Sequence, residues 1–205
     1  MARFAGCTTC IALVLSSVSG TAQDPPRKMY GPPSIYAVTA VDAVAKELSL
    51  TEEQKTKLQA LRKEVQEATK LPTGQPQKTS LAMREARRTE YLQKIELFRP
   101  KLAEILDAAQ LERLEQITWQ ANGPIALQDA PLAKKLGLTA DQQHKVMVAI
   151  LTNAEKMQNA GSEDKVQQLR EVREREIMAA LTEDQKKQLE QLKGKPFDVA
   201  LVRGR

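Results

Sequence analysis

The sequence predicts an all-α protein built as two tandem helical-hairpin units of long amphipathic helices, behind a signal peptide and a proline-rich leader. Three observations carry this prediction. One tryptophan, three tyrosines, three phenylalanines and nine glycines in 205 residues are too few for a β-sandwich or a glycine-loop nucleotide fold, while 28% charged residues suit long solvated helices. Leu-Thr-x-x-Gln, a strong helix-start signal, recurs along the chain. Apolar residues return every three or four positions, and no segment shows sustained strand alternation.

The first element is Met1-Ala2-Arg3 followed by the uncharged stretch 4–22, most apolar at Ile11-Ala12-Leu13-Val14-Leu15 and ending in the small residues Gly20-Thr21-Ala22. A basic start, a short apolar core and a small-residue exit predict a secretory signal peptide, 1–22, cleaved near Ala22. Cys7 and Cys10, the only cysteines, fall inside it, so the mature chain has no thiol or disulfide chemistry. Residues 23–35 hold Pro25, Pro26, Pro32 and Pro33 and read as a disordered leader. No later segment is apolar enough to span a membrane.

The rest repeats itself. Val44 to Gln54 aligns with Leu132 to Gln142 at an offset of 88, and Leu106-Asp107-Ala108-Ala109-Gln110 aligns with Leu181-Thr182-Glu183-Asp184-Gln185 at an offset of 75. The units are 36–122 and 129–205, the first lengthened by an insert around Leu71-Pro72-Thr73-Gly74-Gln75-Pro76. In Leu50-Thr51…Gln54, Leu138-Thr139…Gln142 and Leu181-Thr182…Gln185 the threonine is an N-cap and the glutamine falls at N3. That is a capping box: the threonine oxygen accepts the N3 amide proton, and the glutamine reaches back to the threonine amide. In Leu106-Asp107…Gln110 aspartate takes the cap.

Helices follow in order. Short ones are expected at 38–47 and 130–136, before each unit's first motif. After Thr51, Leu58, Leu61, Val65 and Ala68 share one face. Leu81 to Leu106 reads as one long helix with the seam Leu92, Ile95, Phe98, Leu102, Ile105, kinked at Pro100. Ala108 to Gln120 turns Leu111, Leu114 and Ile117 inward and stops at Asn122-Gly123-Pro124. The second unit gives Asp141–Asn159, a turn at Gly161-Ser162, Glu163–Ala180 and Glu183–Lys193.

Little in the sequence suggests catalysis. The single histidine, His144, stands beside Gln143 and Lys145 with no nucleophile or further ligands in pattern, and there is no phosphate loop. The chain is expected to be no enzyme, with no metal and no cofactor. Its net charge of +5 is modest and mixed along the chain, so nucleic acid is not expected as a partner. Trp119 is expected to pack between the units. Caps and ion pairs leave one feature unexplained: Arg84, Arg87 and Arg88 on one long helix, and Arg170 and Arg173 on its counterpart, place like charges close together. They are the candidate basic binding face.

An export signal, an all-helical charged chain and repeated Leu-Thr-x-x-Gln together resemble the LTxxQ periplasmic proteins, which include Spy-type chaperones, CpxP-type stress inhibitors and ZraP-type zinc-responsive relatives. The resemblance implies a periplasmic protein that binds unfolded or partly folded polypeptides through basic and apolar helix faces, without ATP, in envelope-stress response. Family members carry two motifs and pair as dimers. Four motifs here imply a monomeric pseudo-dimer, or a homodimer. The zinc-responsive relatives' metal-binding residues have no counterpart. The alternative is a structural or adaptor protein of the envelope with one specific partner.

Overall fold

The structure, a computed structural model, describes residues 33–70 and 79–203. The signal segment, and the leader up to residue 32, lie outside the described residues. The described residues are helical and contain no strand. In chain order the helices are α1 (Ile35–Val38), α2 (Asp42–Glu47), α3 (Glu52–Ala68), α4 (Leu81–Glu96), α5 (Arg99–Ile105) and α6 (Ala108–Asn122). A 3₁₀ segment, Gly123–Gln128, leads to α7 (Ala130–Lys135), α8 (Ala140–Gln158), α9 (Glu163–Ala179), α10 (Glu183–Leu192) and α11 (Ala200–Arg203).

Two expected helices need correction. The short helix expected at 38–47 is divided: α1 ends at Val38 and α2 starts at Asp42, with Val41 in extended backbone between them. Leu81 to Leu106 is two helices, broken at Leu97-Phe98, where a kinked single helix was expected. Pro100 has no amide proton for the Glu96 carbonyl, and its ring crowds that carbonyl. The chain responds by tightening: the Phe98 amide donates to the Ile95 carbonyl and the Lys101 amide to the Phe98 carbonyl, both three-residue steps. Pro100 then sits in the first turn of α5, where its missing donor costs nothing. The seam survives, with Ile95 and Leu102 buried and Phe98 and Ile105 partly buried on either side of the break.

Two cores form. The first gathers Tyr36, Val38, Val44, Leu58, Leu61, Leu102, Leu114 and Ile117 from α1–α6. The second gathers Leu127, Leu132, Val146, Ile150, Ile177, Leu181 and Leu189 from the 3₁₀ segment and α7–α10. They do not follow the order of the chain strictly. Trp119 of α6 is buried in the second core, and Phe197 and Val202, beyond α10, pack against the first.

Helix register explains how the halves meet. α8 and α9 run antiparallel, with Asn153 donating to Glu176 and Met157 beside Arg173. α3 runs antiparallel to α5: Gln54 reaches the Ile105 carbonyl, and Glu64 pairs with Lys101. In that register the end of α3 comes level with the start of α5, so α4 extends past α3. It packs instead on α8, again antiparallel, through Arg84 to the Leu151 carbonyl and Arg88 to Gln128, which touches Met147. α8 therefore has α9 and α4 both packed against it.

Candidate functional site

α2 and α7 each end in a Schellman turn. The Leu50 amide donates to the Ala45 carbonyl at 3.0 Å and the Ser49 amide to the Lys46 carbonyl at 3.0 Å; Leu138 and Gly137 repeat this on Ala133 and Lys134 at 2.9 and 3.1 Å. The turn needs a left-handed residue, met by Gly137 at φ 61° and, with some strain, by Ser49 at φ 50°. The motif leucine is thus the buried residue that follows one helix, and the motif threonine opens the next. Thr51, Asp107, Thr139 and Thr182 each cap their helix in a two-way capping box with Gln54, Gln110, Gln142 and Gln185.

The glutamines then pair. Gln54 Nε2 donates to the Ile105 carbonyl (3.0 Å) and to Gln110 Oε1 (2.7 Å), and Gln110 Nε2 donates to the Leu48 carbonyl (3.0 Å). In the second half Gln142 Nε2 donates to the Ala180 carbonyl (2.9 Å) and Gln185 Oε1 (2.7 Å), and Gln185 Nε2 donates to the Leu136 carbonyl (3.2 Å). Each pair ties two helix starts of the same half, α3 to α6 and α8 to α10. The Nε2 protons are occupied within the fold, so the motif acts as a clasp. Replacing Thr139 by alanine removes one cap, worth about 1 kcal/mol. Gln142→Ala also orphans the Ala180 carbonyl and takes one partner from Gln185, so we expect about 2–3 kcal/mol in urea titrations, with Gln142 and Gln185 strongly coupled in a double-mutant cycle.

The five arginines do not share a free face. Arg84 donates to the Leu151 carbonyl at 2.9 Å and pairs with Glu155 at 2.7 Å. Arg88 donates through Nε and a terminal nitrogen to Gln128 Oε1 (3.0 and 2.7 Å) and lies 5.3 Å from the Tyr91 ring centre. Its pKa is lowered by burial. Arg173 is buried between α8 and α9 against the Met157 sulfur, and burial lowers its pKa as well. Arg87 lies partly exposed on Met83, and Arg170 is partly exposed and lies 3.9 Å from Glu163. Arg84 and Arg88 hold α4 to α8. Like charges one turn apart are tolerated because each guanidinium has its own acceptor on the neighbouring half.

A polar cluster that the sequence reading did not foresee sits where the halves join. Arg99, the first residue of α5, pairs with Glu96 (3.2 Å), Glu115 of α6 (2.7 Å) and Asp129 at the start of α7 (2.5 Å). The Trp119 indole donates to the second Asp129 oxygen at 2.7 Å. Lys135 completes the cluster, 3.4 Å from Glu115 and 5.0 Å from the Trp119 ring centre. Next to it, the Tyr36 hydroxyl donates to the Ile95 carbonyl at 2.9 Å, and desolvation raises its pKa above the ordinary tyrosine range. The i,i+3 pair of Glu96 and Arg99 was visible in the sequence; Glu115 and Asp129 are 16 and 30 residues from Arg99 and carried no local signal.

Three carboxylates share two cations here, and Glu96 shows it. Its pKa is raised, first by desolvation and then by Asp129 and Glu115, against the pull of Arg99. A carboxyl whose folded pKa exceeds its unfolded value binds more protons in the folded state. Its contribution is fully present below the ordinary value of 4.5 and is lost as pH rises through the raised value. Glu96→Gln keeps a neutral acceptor for Arg99 and removes the excess charge. The variant is expected to be at least as stable as the wild type at neutral pH, with the advantage gone at acid pH, by urea titrations across that range.

Nothing else converges. His144 is exposed. Among the described residues no group of three or more His, Cys, Asp or Glu could hold a metal ion, and no helix is long and apolar enough to cross a membrane. A depression of about 480 Å³ lies open to solvent near the α8–α9 turn, lined by Glu155, Lys156, Asn159, Ala160, Lys165 and Leu169. It holds no nucleophile paired with a base. Comparisons with protein-family models, curated proteins and solved structures find no match to this chain.

Proposed function

We propose that the chain is a non-enzymatic polypeptide-binding protein of the LTxxQ type, exported to the periplasm, that holds non-native segments on the outer face of α4. The observation that carries this is that, of the three large apolar side chains left exposed among the described residues, Leu201 stands on α11 and the other two share one helix and its C-cap. Met83 is 46% exposed and Leu97 77%, and both belong to α4 and its C-cap. They lie 14 residues apart, four turns and nearly one face, with exposed Ala86 between them. Arg87 lies at one edge of this face, and the Glu90–Lys94 ion pair (2.7 Å) crosses it between the two apolar side chains. Exposed apolar groups separated by charge, on a helix that overhangs its own hairpin partner, suit an unfolded chain more than a shaped small molecule. The two clasps support reading the halves as tandem hairpin units, a pseudo-dimer within one chain.

The test is light scattering of an aggregating, unrelated client, at low and high salt, with and without the full chain. Suppression near stoichiometric ratio is expected, weakening modestly with salt as the Arg87 charge is screened, and losing at least about half its strength in Leu97→Asp with Met83→Asp. No suppression by the wild type would refute the reading. Capture of a single envelope protein in its place would favour an adaptor.

A further inference from the structure

The segment beyond α10 turns back over α6, and the way it is held is that of a bound peptide. Gly194 begins it, at φ 64°, so close to α6 that a Cβ there would lie 2.3 Å from Gln116 Oε1. Gln120 then grips the main chain from both sides: its Nε2 donates to the Lys193 and Lys195 carbonyls (2.7 and 2.8 Å), and its Oε1 accepts the Phe197 amide at 2.8 Å. The Lys195 carbonyl and the Phe197 amide flank Pro196, so one side-chain amide pairs with the backbone as a neighbouring β-strand would. Arg113 adds a second donor to the Lys195 carbonyl at 2.6 Å. The hydrogen bonds from Gln120 and Arg113 all read backbone atoms of the segment, so the close approach at Gly194 is the one part of this grip that demands a particular residue. Selectivity is left to Phe197 and Val202, which pack against the first core, and to Arg203, which donates twice to the Ala121 carbonyl (2.9 and 2.6 Å).

We infer that the α6 face under residues 193–203 is a peptide groove, that this segment is its tethered occupant, and that it yields to a stretch of another polypeptide that is extended at an aromatic residue and turns helical by an aliphatic one five positions later. The spacing is that of Phe197 and Val202. Arg113, Gln116 and Gln120 recur at helical spacing along one face of α6, so the groove belongs to a rigid element and stays in place when the segment leaves. Tethering gives the segment a local concentration in the millimolar range. Only abundant or well-matched chains displace it, which keeps the groove closed to folded proteins. This site is distinct from the α4 stripe.

The probe is a fluorescein-labelled synthetic peptide with the sequence of residues 194–203, followed by anisotropy. The full chain carrying Phe197→Ser and Val202→Ser should release its segment and bind the probe at least about tenfold more tightly than the wild type. Adding Gln120→Ala should reverse that gain. Equal binding by wild type and double variant, or no loss with Gln120→Ala, would overturn the inference. A second readout needs no variant. Excess unlabelled peptide on the wild-type chain should speed hydrogen exchange at the Phe197 amide. Peptide binding with that amide still protected places the peptide elsewhere and overturns the proposal, as does a wild-type chain that exchanges its segment with a second copy. Loss of client suppression in the α4 variants with peptide capture intact would sink the α4 reading alone.

Discussion

Replacing Arg99 by methionine is expected to cost the fold about 3–5 kcal/mol. The arginine side chain is 15% exposed and, among the described residues, its guanidinium alone pairs with Glu96, Glu115 and Asp129 together. Methionine fills similar space and packs well, so the loss is one of charge. Glu115, more buried still, would keep only Lys135 at 3.4 Å, and Asp129 only the Trp119 indole. Removing one partner of a buried ion network costs far more than exchanging the whole network for apolar groups. In a chain of this size the loss corresponds to a fall in melting temperature on the order of 10 °C. Arg99→Lys should recover only part of it, because an ammonium cannot fork toward three carboxylates held in fixed directions. The deficit should also shrink at acid pH. Without Arg99 the carboxyl groups bind protons more readily folded than unfolded, so falling pH stabilises the variant relative to the wild type. Calorimetry at neutral and acid pH checks both parts; a loss under about 1 kcal/mol would mean that the carboxylates are effectively solvated.

Trp119→Ala is expected to cost about 3–5 kcal/mol as well, for a different reason. Trp119 is 1% exposed, and it is a residue of α6 buried in the core of the following half. Truncation leaves a cavity at the seam, removes a donor from Asp129 and takes the ring from under Lys135. Trp119→Phe separates these effects. It keeps most of the volume and loses the indole hydrogen bond, so about 1–2 kcal/mol is expected. If the tryptophan is what makes the two cores melt together, Trp119→Ala should broaden the calorimetric transition or split it in two. A single sharp transition at the wild-type temperature would contradict the burial described here.

Helix positions were legible from the sequence, because they rest on local physics. Caps, N3 glutamines and apolar spacing act over four or five residues, and Thr51, Asp107, Thr139 and Thr182 start their helices where the sequence places them. What the sequence hid was long-range. That Gln54 meets Gln110, or Gln142 meets Gln185, depends on how far apart two helix starts come to lie after folding. The arginines show the same limit: periodicity says that Arg84 and Arg88 share a face of α4, but whether that face meets water or α8 depends on α3 ending early. Pro100 was misjudged over a shorter distance. The seam continues through it, yet one missing donor was enough to divide the helix at Leu97-Phe98.

The grip on α6 has a topological consequence. Asn122 donates its side-chain amide to the Pro33 carbonyl at 3.1 Å, and Arg203 donates to the carbonyl of Ala121, one residue earlier. The first and the last described residues are therefore tethered to the same end of one helix, and the folded path is nearly a closed ring. A ring can be opened anywhere. Joining 203 to 33 by a short linker and cutting at the exposed Gly161-Ser162 turn would give a circular permutant with every helix contact retained.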